Sequence, residues 1–195
     1  MADKGGTYGI TSVTLAPPQA GGFPGTWTGD GTFSFKAIVR DSVSFNDAAP
    51  SDTDLYVEDT DDIYATLSGD EGSKGFTLDT YDLSSESYTG LMGFTASSDT
   101  NPWYQEPTTI APLIKAVQIV TRDYTDFPSK TFEWAKMKIT VTKAGTIGKS
   151  GFPNFHLEFM QLANINPSTG AAACGHRWKR TTAASNSSSS SQTPT

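Results

Sequence analysis

One cysteine, two histidines and a charged fraction of only 18% narrow the chemistry open to this chain before any pattern is considered. Cys174 has no partner within the chain, so no disulfide framework can hold the fold. Cys174 and His176 lie close together, but His156 is the only other histidine, and a closed tetrahedral metal site needs four ligands. No apolar run approaches the roughly 20 residues of a membrane helix. The opening Met1-Ala2-Asp3-Lys4-Gly5-Gly6 lacks the apolar stretch of a secretory signal, so cytoplasmic synthesis and no membrane partner are expected. Basic tracts are also scarce, and a net charge of −7 argues against a nucleic-acid binder of the usual basic kind.

What the chain does have is turn formers and short alternating runs. Eighteen glycines and eleven prolines separate many strand-like segments, the signature of a β-dominated fold. Charge is unevenly placed. Asp41 to Asp82 holds twelve carboxylates and one base, Lys74, whereas Lys115 to Lys149 holds seven bases against Asp123, Asp126 and Glu133. Either the solvated surface is simply patchy, or acidic and basic regions of neighbouring copies meet and orient their association.

Period-two alternation marks the strands. Ile10–Leu15 is a short one. Phe33, Phe35, Ala37 and Val39 share one face of the next, which Val43 and Phe45 extend. Asp47–Asp62 reads as an acidic excursion around a short strand at Leu55–Val57, followed by strands at Ile63–Leu67 and Phe76–Leu78. One short helix is expected, capped by Ser84 or Ser85, with Glu86 in its first turn and Gly93 ending it. Its apolar face is Tyr88, Leu91 and Met92. A long loop, Phe94–Pro112, precedes a central strand at Leu113–Thr121. In Phe132–Lys143, Ala135, Met137, Ile139 and Val141 face one way, and Phe155, Leu157 and Phe159 line the last strand. The expected organisation is an N-terminal arm (1–9), a β-sandwich or partial barrel of two packed sheets (10–163), a C-terminal arm (164–182) and a disordered Ser-rich tail (183–195).

Catalytic signatures do not assemble. Gly145-Thr146-Ile147-Gly148-Lys149-Ser150 imitates a phosphate loop, but position 143 is Lys where the first glycine belongs, and a strand follows instead of a helix. It reads as a hairpin turn. The carboxylates from Asp52 to Asp62 break the calcium-loop order at Tyr56. No Gly-x-Ser-x-Gly elbow is present, and nothing singles out a catalytic carboxylate pair. No enzyme activity and no cofactor or metal are therefore expected. Trp27, Trp103, Tyr104 and Trp178 sit in long connections, suited to packing between copies or to stacking on sugars.

Taken in order, these elements resemble the tail tube (major tail) proteins of long-tailed bacteriophages. The likeness rests on the early strands, the long acidic loop, the phrase from Phe76 to Glu86 running into Gly90-Leu91-Met92-Gly93, and the three late strands; it covers about residues 7–165. It lies in element order, without an invariant motif, and the Cys174–Arg180 segment and Ser-rich tail are outside the family pattern. The resemblance implies stacked, hexameric rings of this chain forming a hollow tube, with other tail proteins as partners and phage DNA passing through unbound. It assigns contacts between rings to the loop, through Asp41, Asp47, Asp52, Asp54, Glu58, Asp59, Asp61 and Asp62, to an N-terminal arm at Lys4–Gly9, and to a C-terminal arm at Asn164–Arg180 carrying Arg177, Lys179 and Arg180. The alternatives are another virion component, such as a head decoration or tail terminator protein, and a carbohydrate-binding β-sandwich.

Overall fold

The computed structural model describes residues 8–49, 51–56, 63–68, 72–124, 127–148 and 151–180. Along the chain run β1 (Tyr8–Ala16), β2 (Phe33–Phe35), β3 (Ser44–Phe45), β4 (Asp52–Tyr56), β5 (Ile63–Ser68), β6 (Gly75–Thr80), α1 (Ser85–Met92), β7 (Thr95–Ala96), β8 (Tyr104–Gln105), β9 (Leu113–Arg122), β10 (Lys130–Ala144), β11 (Asn154–Gln161) and β12 (His176–Arg180). The fold is all-β with one helix, as the composition implies. Eight strands form one antiparallel sheet in the order β2-β1-β9-β10-β11-β6-β3, with β12 added to β10, and β4–β5 and β7–β8 are separate two-stranded ribbons. Residues 1–7 of the expected N-terminal arm and the Ser-rich tail lie outside the described residues, and Tyr8 and Gly9 belong to β1.

The large sheet curls until its two borders are joined by the chain between β2 and β3. Val39 donates its N–H to Asp79 O at 2.8 Å, Tyr81 donates to Ala37 O at 3.0 Å, and Ile38 bridges Thr80. The Thr80 hydroxyl, fully buried, donates to Lys36 O at 2.8 Å. The result is a partial barrel around a single core of Val13, Leu15, Phe35, Phe76, Leu78, Val117, Trp134, Met137, Ile139, Phe155, Leu157 and their neighbours.

This closure corrects one sequence expectation. The Phe33–Val39 alternation suggests an unbroken strand, yet β2 stops at Phe35 and Ala37 adopts φ 55°. A left-handed residue costs roughly 1–2 kcal/mol, and here it turns the chain from β1 towards β6. The phase changes accordingly: Ile38 and Val43, instead of Ala37 and Val39, pack on the core.

A similar shift occurs in β10, which serves different partners along its length. It pairs with β12 over Lys130–Trp134 and with β11 over Met137–Ala144. On its β9 side, the register slips between Trp134 and Met137. An extra residue there bends the strand. Trp134 therefore joins Met137, Ile139 and Val141 in the core, while Ala135, buried outside that cluster, donates to Gly175 O at 2.9 Å. In β1, bulges around Ile10 allow both Ile10 and Val13 to reach the core.

The helix forms where its caps specify it. Ser84 accepts from Ser87 N, and Gly93 closes the last turn with φ 71° while donating to Thr89 O at 3.1 Å. Leu91 and Met92 are buried, and Tyr88 packs edge-on against Phe94 and Phe155. Inside the expected 94–112 loop, β7 and β8 form a small ribbon, with Ser97 N donating to Trp103 O. The glycine-rich 145–151 segment lies between the antiparallel strands β10 and β11, with Gly145 at φ 82°.

Candidate assembly surfaces

The C-terminal segment, expected as an arm, returns along its own barrel as far as Arg180. Asn164 anchors the return. Its side chain is buried, accepts from Gly21 N at 3.0 Å and donates to Gly22 O and Cys174 O. β12 then docks on β10 in the register Lys130↔Arg180 to Trp134↔His176.

Two kinds of contact hold it. On one face, His176 lies flat on Trp134 with ring centroids 4.7 Å apart, Trp178 neighbours Phe132, and the Lys130 ammonium sits 5.5 Å from the Trp178 ring. On the other, the Arg177 guanidinium reaches Glu133 Oε2 at 2.6 Å, and Gln118 donates to Oε1 at 2.9 Å. Glu133 is only 5% exposed, so its charge depends on these donors. Phe23, from the Gly- and Pro-rich β1–β2 connection, covers Arg177 with its ring 4.0 Å from the guanidinium carbon.

Burial pushes the His176 pKa down; Asp47 opposes that shift and Lys74 adds to it. At the other end of the barrel, Asp82 links the closure to the helix cap. It accepts from Lys36 N at 3.4 Å and from Ser84 N at 3.3 Å. Burial alone would raise its pKa, but the hydrogen bonds from Ser84, Ser87 and Lys36 together hold it below the ordinary 3.8.

The sequence-assigned contact residues thus fall into distinct places. Arg177, Lys179 and Arg180 share β12, but Arg177 is engaged within the chain. Asp41, at φ 59°, lies beside Arg40 on an exposed turn. Asp47 accepts from Gly75 N at 3.2 Å, next to β6. Asp52 and Asp54 belong to β4, whose only described strand partner is β5. Glu58, Asp59, Asp61 and Asp62 lie outside the described residues. The acidic excursion therefore contains a ribbon that is separate from the barrel sheet, in contrast to the basic segment, which docks on it.

Apolar side chains supply further surfaces, of which the sequence singled out only those of Trp103 and Trp178. Ile147 is 93% exposed and Phe152 81%, both at the β10–β11 turn; Trp103 is 78%, Phe45 63% and Trp178 57% exposed. Tyr81 stands beside Phe152, with centroids 6.5 Å apart. The signal available for Ile147 and Phe152 was an isoleucine and a phenylalanine inside a glycine-rich turn, where polar residues normally sit. Trp27, grouped in the sequence with Trp103, Tyr104 and Trp178, is half-buried. A groove of about 490 Å³ between α1, β1, β2 and the β7–β8 ribbon is lined by Leu15, Phe33, Gly90 and Tyr104, with Glu86 and Lys115 also on its wall.

Among the described residues, no three His, Cys, Asp or Glu side chains are grouped to hold a metal, and no helix is long and apolar enough to cross a membrane. His156 pairs with Asp79, Nδ1 to Oδ1 at 2.6 Å, and the exposed Cys174 thiol donates to His176 O at 3.0 Å. Comparison of the chain with known protein families and with curated proteins finds no match.

Proposed function

We infer that this chain is a structural subunit that assembles with copies of itself into stacked rings, forming a tube of the kind that long-tailed phages use for genome passage. The observation that carries the reading is the distribution of exposed apolar side chains. A barrel with a complete core still presents Phe45 on β3, Trp103 beside β8, Ile147 and Phe152 at the β10–β11 turn and Trp178 on β12. Single exposed apolar residues are commonplace, but large ones projecting from four separate elements suit a molecule with several neighbours. Head-to-tail contacts of this kind propagate, closing into rings or opening into filaments. The acidic balance, −7 overall, suits a conduit that must not hold DNA. Presence in a virion and hexameric symmetry are part of this proposal.

Sedimentation velocity across a concentration series tests it. Large, concentration-dependent species are expected at neutral pH, and a single monomer-sized boundary at every concentration and ionic strength would remove the reading. A sugar-binding role is favoured by one feature, the exposed Trp103 beside Tyr104 at the rim of the groove. It requires glycan binding that is lost in Trp103→Ala, and a glycan array without hits dismisses it.

A further inference from the structure

One end of the barrel carries both an apolar projection and an apolar groove. β10 and β11 run past the end of β6, whose last residue, Thr80, pairs with Phe155, and past the start of β9, where Leu113 pairs with Ile139. Their turn therefore projects from that end. Within it, Ile147 and Phe152 flank the Gly148↔Gly151 bridge, and both are exposed. The projection is preformed. A Cβ at Gly145 would stand 2.6 Å from Phe152 O and one at Gly151 2.9 Å from Thr146 O, so glycine alone lets the chain double back this tightly. At its base, Lys143 is tied to Glu106 at 2.9 Å and lies 4.9 Å from the Phe94 ring. The groove opens at the same end but on another side, over Phe33 at the start of β2 and Lys115 early in β9. α1 separates the two, with Tyr88 against Phe155 and Gly90 backing onto Phe33. Glycine inside a helix is destabilising relative to alanine, but here a Cβ would stand only 3.2 Å from the Phe33 ring. Its absence lets that ring form the floor, walled by Thr89, Ala96 and Tyr104.

We propose that the β10–β11 turn of one copy docks in this groove of the next, seating Ile147 and Phe152 against Phe33, Ala96 and Tyr104. The volume, about 490 Å³, accommodates two large apolar side chains. Apolar anchors that fill a pocket carry most of a contact's energy, and a preformed turn loses little freedom on docking. Charge agrees with the pairing. Glu86 is exposed on the groove wall, whereas Lys115 donates to Gly31 O at 3.2 Å. The one charged residue in the sequence 144–153 is Lys149, opposite in sign to Glu86. The turn cannot fill its own groove, because its base is braced by Glu106 and Phe152 leans towards Tyr81, beyond β6. Projection and groove share one end of the barrel, so a shift along the barrel axis, which brings opposite ends together, does not make this contact. It sets neighbours side by side. Repeated, a heterologous contact of this kind closes a ring, and contacts between rings are left to other surfaces. This inference rests on the self-assembly reading and names one contact within it.

Filling the groove from its wall tests the contact in the full chain. Ala96→Trp should raise the concentration needed for assembly by about tenfold or more, read by sedimentation, while the unfolding midpoint stays nearly unchanged. Ala96→Ser, which leaves the groove open, should assemble like the unaltered chain. Normal assembly by Ala96→Trp overturns the docking and leaves self-assembly standing. Normal assembly together with loss of glycan binding overturns it as well, and gives the groove to a sugar. Should Ala96→Trp not fold, Gly148→Cys/Thr89→Cys in a Cys174→Ser background answers instead. A Cβ at Gly148 meets nothing within 4 Å, and Thr89 is exposed on the groove wall. A ladder of oxidised, disulfide-linked copies supports the contact, and assemblies that oxidise without one refute it. If the unaltered chain never self-associates, this inference and the reading beneath it fall together.

Discussion

Arg177 and Glu133 are bound by more than proximity: the carboxylate is buried, the guanidinium is half in solvent, and Gln118 and Phe23 complete the surroundings. Removing the arginine leaves a buried charge with one neutral donor. Arg177→Ala should therefore lower stability by about 3 kcal/mol, the low end for breaking a buried pair because one partner keeps water access. Chemical denaturation monitored by tryptophan fluorescence measures it. Glu133→Gln in the same background should restore part of that loss, since the charge that requires the arginine is gone. His176 sets a pH dependence for the same strand. Its folded pKa lies below the ordinary 6.5, so the fold prefers the neutral ring. Stability from β12 docking is then fully present above about pH 6.5 and falls as pH drops through the lower, folded value. Titration followed by Trp134 and Trp178 fluorescence should show this change, and His176→Phe should abolish it. Asp82 acts in a more acidic window. Its pKa is depressed, so its contribution is intact above about pH 3.8 and is lost on further acidification. Asp82→Asn should flatten that acid limb and cost about 1 kcal/mol at neutral pH, the worth of its charge-assisted hydrogen bonds with the pairing largely kept.

Elements differ in how much of their placement is local. The helix was legible because Ser84, Leu91, Met92 and Gly93 act within one another's reach. β11 was legible because Phe155, Leu157 and Phe159 alternate without interruption. The break at Ala37 was not, because the reversal is imposed by β6, more than forty positions later, through Asp79 and Thr80. The bulge between Trp134 and Met137 depends on β10 having different partners above and below it. β12 has no apolar period at all; its pairing is fixed by Trp134 and Glu133 on another strand, so its sequence reads as a loose basic arm. The candidate surfaces show the same division. The acidic and basic stretches were visible in the order of residues, but which carboxylates stand on a separate ribbon was decided by the pairing of β4 with β5. The β10–β11 turn is the element whose role can be isolated most cleanly. Ile147→Ser/Phe152→Ser should leave the unfolding midpoint nearly unchanged, as both side chains are outside the core. The same pair should weaken self-association about tenfold or more, which sedimentation would register.

At the scale of the whole molecule, the barrel accounts for stability, and the proposed self-assembly would fall to its projections. The core is closed by the chain's own β2–β3 crossing, and the C-terminal segment adds β12 to β10 as a further strand of the sheet. In the proposed assembly, preformed bodies would join through apolar tips and charged surfaces. Such contacts weaken with ionic strength where the charges are exposed, since the Debye length falls from about 8 Å to about 3 Å between physiological and 1 M salt. Association driven only by the apolar tips would instead hold or strengthen in strongly excluded salts such as sulfate. Comparing chloride with sulfate therefore separates the two contributions. Electron microscopy of the concentrated, negatively stained protein addresses assembly itself. The expected image shows rings seen end-on and striated tubes of uniform width seen from the side. A field of dispersed particles no larger than one barrel, at every concentration and salt used, would contradict the proposal that this molecule completes its surface with copies of itself.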